Sequence, residues 1–400
     1  MNAAQKAQPQ ATSAAGPLGI ATVALARQLV RRPSLTPKDE GCQNLIAQCL
    51  RAAGFSCETL SCNETVNLLA THGEGSPFTL FLGHTDVVPP GEENLWEHPP
   101  FGAELVERPQ GQYLTGRGSA DMKGSDAAFT IALCHFVARH PEHQGRIGLL
   151  VTSNEEGDGQ GGVSYVAELL SERRLIPDYC LVGEPSSLNC FGDQIKVGRR
   201  GSLTAHLTVL GVQGHVAYPE RCDNAALHAA RLMNALFSER WDEGTEFFPP
   251  STFQVTNLNC GSGAENVVPG ACRIMCNWRF NDRHTPESLK ARVQKLAAEL
   301  GVRMEERWVI NGLPFITQGG ALLEALQEAV ERHSGQKPQL STSGGTSDGR
   351  FIAPLGTQTV EFGPLSQSIH KVNEEVSCRD LGILTLIYKE VLERLHQDRD

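Results

Sequence analysis

Phe78-Thr79-Leu80-Phe81-Leu82-Gly83, followed at once by His84-Thr85-Asp86, is a short apolar run that ends in ionisable residues. A run of this length, without polar alternation and bounded by turn residues, reads as a strand buried on both faces. The pattern recurs twice. Arg146–Val151 runs into Thr152-Ser153-Asn154-Glu155-Glu156-Gly157, and Tyr179–Val182 ends in Gly183-Glu184-Pro185. Ser125–His140 and Gly162–Ser171, between these runs, carry helical apolar spacing. Alternating strands and helices predict an α/β layer around a mixed, largely parallel sheet. In such sheets functional residues gather past the carboxyl ends of the strands, which is where His84 and these carboxylates fall.

Outward from this core, Leu18–Arg32 and Glu40–Ala53 read as helices, the second stopped by Gly54. Near residue 200 the style changes. Ser202–Leu210 alternates polar and apolar residues, as a half-exposed antiparallel strand does. Further strands are expected at Thr252–Leu258, Arg273–Phe280 and Arg303–Ile310, with helices at Asp223–Ser238 and Ser288–Leu300. After Gly312 the α/β style resumes with helix Ala321–His333, strand Gln358–Phe362 and helix Arg379–Leu395. The expectation is a discontinuous α/β domain over 18–200 and 315–400, interrupted by an α+β domain over 201–314 and preceded by a solvated tail over 1–17. No internal repeat is present.

The 400 residues are 40% hydrophobic and 20% charged, a globular mix that excludes wholesale disorder. A formal net charge of −11 disfavours nucleic acid and anionic membranes as partners. The apolar runs are far shorter than the roughly 20 residues a membrane helix needs. Met1–Gly16 is Ala/Gln/Pro-rich, without the apolar stretch of a secretory signal. The twelve cysteines include no CxxC pair; the nearest neighbours are Cys57/Cys62 and Cys272/Cys276. They read as small buried residues in a reducing compartment.

Five segments place a ligand or an acid–base group beside a turn: Gly83-His84-Thr85-Asp86, Gly118-Ser119-Ala120-Asp121-Met122-Lys123-Gly124, Glu155-Glu156-Gly157, Gly183-Glu184-Pro185 and Ser368-Ile369-His370-Lys371. Alone, each has an ordinary reading as turn or solvated surface. Together, two histidines and several carboxylates at strand ends and Gly-flanked loops make a poor core. Nitrogen and oxygen ligands without thiolates suit zinc, cobalt or manganese. Two divalent ions carry a charge of +4; Asp121, Glu156 and Glu184 with one bridging hydroxide balance it, so the centre can sit in a low-dielectric cleft. In extended chain His84 and Asp86 share a face, which lets Asp86 orient the His84 ring. The neighbours Glu155 and Glu156 point apart, so one can bind metal while the other moves a proton.

Gly83-His84-Thr85-Asp86-Val87-Val88-Pro89, Gly116-Arg117-Gly118-Ser119-Ala120-Asp121-Met122-Lys123-Gly124, Asn154-Glu155-Glu156-Gly157 and Val182-Gly183-Glu184-Pro185 resemble the aminoacylase/carboxypeptidase family of metal-dependent amidohydrolases. Lys196-Val197-Gly198-Arg199-Arg200-Gly201-Ser202, Gly214-His215-Val216-Ala217-Tyr218-Pro219, Ser343-Gly344-Gly345-Thr346-Ser347-Asp348-Gly349-Arg350-Phe351 and Ile369-His370-Lys371-Val372-Asn373-Glu374 resemble its desuccinylase branch. The resemblance implies a zinc-peptidase-like fold and a cytoplasmic homodimer joined through the inserted lid domain. It implies two zinc ions per subunit, replaceable by cobalt or manganese: one on His84 and Glu184, one on Glu156 and His370, with Asp121 bridging and followed by a cis peptide. Asp86 would hold His84, Glu155 would be the general base and acid, and His215 would stabilise the oxyanion in the other subunit's site. The implied reaction is hydrolysis of N-succinyl-L,L-diaminopimelate, in bacterial lysine and cell-wall precursor synthesis; a deacylase of another N-acyl amino acid, such as N-acetylornithine, is the alternative.

The implied substrate has three carboxylates, and Arg199 and Arg279 match arginines expected to grip them. Arg279 also reads as an ordinary cross-strand surface arginine. Asn266 and the Gly-rich Ser343–Thr346 loop, with Gly345 and Thr346, are expected on the substrate side. Two positions depart from the branch: Glu265 stands where a second Asn is common, and Ser366 where an Asn is expected.

Overall fold

The structure is a computed structural model and describes residues 16–397. Of the tail expected over 1–17, Met1–Ala15 lie outside the described residues, and Gly16 and Pro17 already belong to helix Gly16–Val30. The chain divides into two compact units. The first takes the residues up to Val197, Thr317–Leu340 and those from Ser347 onward; the second takes Gly198–Ile316 and Ser341–Thr346.

The first unit is built on an eight-stranded sheet in the order Ser56–Cys62, Thr65–Gly73, Arg146–Thr152, Phe78–His84, Tyr179–Val182, Gln358–Glu361, Gln194–Lys196, Gln339–Ser341. Its centre is parallel: Phe78–His84 runs alongside both Arg146–Thr152 and Tyr179–Val182, and Gln358–Glu361 continues the set. The flanking pairings at Ser56–Cys62, Thr65–Gly73 and Gln194–Lys196 are antiparallel. The sheet is therefore mixed, and parallel at its middle.

The absence of alternation in the central runs has a packing cause. Phe81, Leu149, Val151 and Leu181 face helices Gly16–Val30, Gly124–Arg139 and Cys378–His396. Leu80, Leu82, Leu150 and Val182 face helix Val163–Glu172 on the other side. Phe81, Phe129 and Tyr388 stack with centroids 4.4 and 4.2 Å apart. Each such fully buried side chain contributes about 1.5–3 kcal/mol. Gly83 and Gly183 end the two central strands where the chain meets the start of helix Gly124–Arg139. A Cβ at Gly83 would lie 2.2 Å from Asp126 Oδ1, and one at Gly183 would lie 2.7 Å from Phe129 Cε2. These two glycines let His84 and Glu184 emerge side by side at the carboxyl edge.

The second unit is α+β. Its four-stranded antiparallel sheet runs Thr252–Cys260, Ala271–Phe280, Gly201–Leu210, Arg303–Gly312. Helices Ala225–Ser238 and Pro286–Glu299 cover one face, over Leu203, Leu207, Ile274 and the fully buried Trp278. Asn224 caps the first helix, and Thr285 with Ser288 forms a capping box on the second. Among the described residues no helix is long and apolar enough to cross a membrane. All twelve cysteines are free, and Cys190 and Cys260 are exposed rather than buried.

Candidate metal centre

Three neighbouring strands deliver the first residues. Parallel register pairs His84 with Thr152 and Leu82 with Val182, so His84, Glu155-Glu156 and Glu184 leave the sheet at one edge. Asp121 comes from the turn Ser119–Lys123 ahead of helix Gly124–Arg139, and its peptide bond to Met122 is cis. His370 comes from a loop, with φ of 60°. His84 Nε2 lies 3.6 Å from Asp121 Oδ1 and 3.7 Å from Glu184 Oε1. His370 Nε2 lies 3.1 Å from Asp121 Oδ2 and 2.9 Å from Glu156 Oε1. The structure thus brings all five expected ligands together, as two groups of three that share Asp121.

Whether these residues fit metal ions is decided by what they lack. His84 Nε2 and Asp121 Oδ1 are buried and have no hydrogen-bond partner. Their 3.6 Å separation is too long for a hydrogen bond. It is close to the span of about 3.4 Å between two tetrahedral ligands that each sit about 2.1 Å from one zinc ion. The charges agree. Burial, with Asp121 and Glu155 nearby, pushes Glu184 well above the ordinary carboxyl range. Burial opposes a charge on His84, yet Asp121, Asp86, Glu155 and Glu184 outweigh it and hold the imidazole well above its usual value. Burial likewise opposes the charge on Asp121, and His370 and His84 overcome it and hold the carboxyl below its usual range. Hydrogen bonds to Asp121 and Glu156 raise His370 to about 10. The two imidazoles are drawn to the positive form by the carboxylates around them, and the residues present fit two divalent ions.

Glu155 stands apart from both groups. Burial, and then the charge of Asp348, raise it to about 8. A carboxyl group tuned toward neutrality can both take and give a proton.

Residues 80–394 match the family model described as Peptidase family M20/M25/M40. The chain belongs to this family. It is 50% identical over 375 residues to a curated relative named succinyl-diaminopimelate desuccinylase from Halorhodospira halophila, covering 94% of this chain and 98% of the relative. A relative of the same name from Marinobacter nauticus is 50% identical over 374 residues, with the same coverage. Among solved structures, an M20 family metallo-carboxypeptidase from Sulfolobus solfataricus shares the fold, with a TM-score of 0.77 at 18% identity over 94% of this chain and 98% of that one.

In this M20/M25/M40 chain Asp86 does more than face His84. The ring's Nδ1 meets the backbone oxygen of Asp86 at 2.9 Å, while the Asp86 carboxylate is 3.6 Å away. That carboxylate is held by three other donors. It accepts Glu155 N at 3.2 Å, Glu156 N at 3.1 Å and Thr36 Oγ1 at 2.6 Å. The expected orientation of His84 is thus made by the backbone of Asp86, because its side chain is taken by the strand-end turn that carries the two glutamates.

The remaining expected residues lie in the second unit. His215 is exposed on a two-residue strand opposite Val267, its Nδ1 accepting from Ala217 N at 3.1 Å. Asn266, also exposed, accepts Val216 N through its backbone oxygen at 3.0 Å. Arg199 is buried and donates from Nη1 to Ser343 O at 3.2 Å, beside Gly344; Gly345 and Thr346 follow in the same loop, and a Cβ at Gly345 would meet nothing within 4 Å. Arg279 sits in strand Ala271–Phe280, opposite Ser202 and Thr252. The five expected ligands, Asp86 and Glu155 belong to the first unit, and the residues expected on the substrate side and His215 to the second.

Sequence reasoning singled out neither Glu374 nor Asp348. Glu374 is fully buried and accepts from Arg117 and from three backbone N–H groups of the Asp121 turn. Asp348 is buried, 3.6 Å from Arg350 Nη2, and itself raised to about 6, mainly by burial. Both stood inside quoted motifs, but no local spacing announces a partner more than 190 residues away.

Proposed function

We propose that this protein hydrolyses the amide of N-succinyl-L,L-2,6-diaminopimelate, giving succinate and L,L-diaminopimelate. The observation that carries the proposal is the 50% identity, over nearly the whole of both chains, to relatives named for that reaction. The undamaged set of ligands and base supports it.

His84, Asp121 and Glu184 would hold one divalent ion, and Asp121, Glu156 and His370 the other. Bound there, zinc or a substitute such as cobalt supplies Lewis acidity toward the amide carbonyl and acidifies water. Glu155 takes a proton from the attacking water and passes it to the departing nitrogen, so the amine leaves neutral. Asp86, by accepting the N–H groups of both Glu155 and Glu156, keeps the base and its ligand neighbour in fixed relation. Arg199 and Arg279 grip the substrate's carboxylates, with the Gly345–Thr346 backbone close to an anion, and Asn266 contacts the substrate. His215 donates to the oxyanion of a partner subunit in a homodimer formed through the second unit. The enzyme works in the cytoplasm.

The test is amine release from N-succinyl-L,L-diaminopimelate and, in parallel, from N-acetylornithine, with zinc and with a chelated control. Release from the succinyl substrate alone, abolished by chelation, is expected. Release from N-acetylornithine alone would overturn the substrate assignment and point to the Glu265 and Ser366 loops.

A further inference from the structure

Glu374 receives an unusual number of donors for one carboxylate. Its Oε2 accepts Arg117 Nη1 at 2.7 Å and Gly118 N at 3.0 Å. Its Oε1 accepts Ala120 N and Asp121 N, each at 3.0 Å. Its backbone oxygen accepts Gly116 N at 2.9 Å. The side chain is completely buried. Residues 116–121, including the shared ligand Asp121, are therefore docked onto this one residue.

Glu374 also closes the loop that presents His370, four residues earlier. Ile369 packs that loop against the core, but the His370 side chain itself is 50% exposed. Both His370 and Asn373 have φ of 60°, in the left-handed region that His and Asn enter more readily than other non-glycine residues, and side-chain ties hold the loop in this shape. The constraints are visible. Ser368 Oγ donates to Glu375 O at 2.9 Å and accepts Glu375 N at 3.3 Å, pinching the loop shut, and Asn373 Oδ1 accepts Glu97 N at 2.8 Å. Beside the direct contact of His370 Nε2 with Asp121 Oδ2 at 3.1 Å, the Glu374 carboxylate is the tie that fixes the end of this loop against the backbone of the Asp121 turn.

We infer that Glu374 is a positioning residue that sets the spacing between Asp121 and His370, and so governs the second ion group selectively. This rests on the two-ion reading above. Two of the three ligands in the Asp121–Glu156–His370 group hang on Glu374. In the His84–Asp121–Glu184 group only Asp121 does, and the other two ligands emerge from core strands.

The test exploits the difference between a carboxylate and an amide. Glu374→Gln keeps the shape but has one acceptor oxygen, and its NH2 must face two of the four donors. Zinc binding by metal-free protein is measured by calorimetry, with thermal unfolding as the check on folding. For the native chain two ions are expected. For Glu374→Gln one ion should bind as in the native chain, and the other about 10- to 100-fold more weakly, the usual effect of losing an outer partner of a ligand. Equal affinities in the two proteins, or equal weakening at both sites, would overturn the inference. A native chain that binds no second ion would overturn the two-ion reading and this inference with it. Should Glu374→Gln not fold, Arg117→Gln carries the test: selective weakening of one ion supports the inference, and unchanged affinities overturn it.

Discussion

The two ligand groups of the proposed metal centre are built differently. On the His84–Glu184 side, both side chains follow central strands locked in parallel register, and the His84 side chain is 2% exposed. On the Glu156–His370 side, the histidine is 50% exposed and sits on a loop in which it and Asn373 have φ of 60°. Core packing places His84, Glu184 and, through the end of strand Arg146–Thr152, Glu156, whereas hydrogen bonds place His370. The difference teaches that a two-ion centre can have one half as rigid as the fold and another half only as rigid as its outer contacts.

The largest effect is expected where the comparison is broken altogether. Asp121 belongs to both halves, so Asp121→Ala should retain neither ion after dialysis, and its turnover should match the chelated control; metal analysis beside the amine-release assay checks this. Next, Glu155 belongs to neither half. Glu155→Gln should lower turnover about 10²–10⁴-fold with both ions still bound, and metal loss in step with activity would refute its role as base.

A pair of truncations sharpens the contrast in stability. In metal-free protein His84 is a buried positive group among carboxylates, and removing it strands them. His84→Ala should lower the unfolding free energy by about 3 kcal/mol in urea titration. His370→Ala should cost less than that, because half of the His370 side chain is open to solvent, so water can reach the carboxylates it leaves. Comparable losses would erase the distinction.

The smallest effect concerns pH. His370 is raised in the folded metal-free chain to about 10, above the ordinary value near 6.5 that it regains on unfolding. A raised basic group stabilises fully below its unfolded value, and the benefit fades as pH rises through the folded one. Metal-free protein should therefore lose stability between about pH 6.5 and pH 10. His370→Ala should flatten that slope, by no more than about 2 °C in Tm because of screening. Unchanged pH profiles would show that the loop does not hold His370 against Asp121 and Glu156 in solution.

Much of this was legible from residue order. The apolar runs before His84, Glu155 and Glu184 signal buried strands because sheets covered on both faces need no alternation, and Leu80 and Phe81 indeed face opposite cores. The strands and helices expected between 202 and 310 match the second unit's elements to within a few residues. The hairpin Leu105–Arg108 with Gly111–Thr115 and the edge strand Ser56–Cys62 gave no such signal. They are half-exposed, with mixed polar residues, and are fixed by pairing with partners rather than by pattern.

The sequence by itself determined the chemistry: which residues can ligate, which can move a proton, and that they follow buried strands. Those properties are local, set by residue type and by periods of two or 3.6. Only the tertiary structure decided that the Asp86 carboxylate serves the two glutamates rather than the His84 ring, that Ser341–Thr346 joins the second unit, and that Glu374 ties Asp121 to the His370 loop. Each of these depends on hydrogen bonds or packing between residues far apart in the chain. Such contacts exist only once the core has brought the backbone together, and no local pattern encodes them.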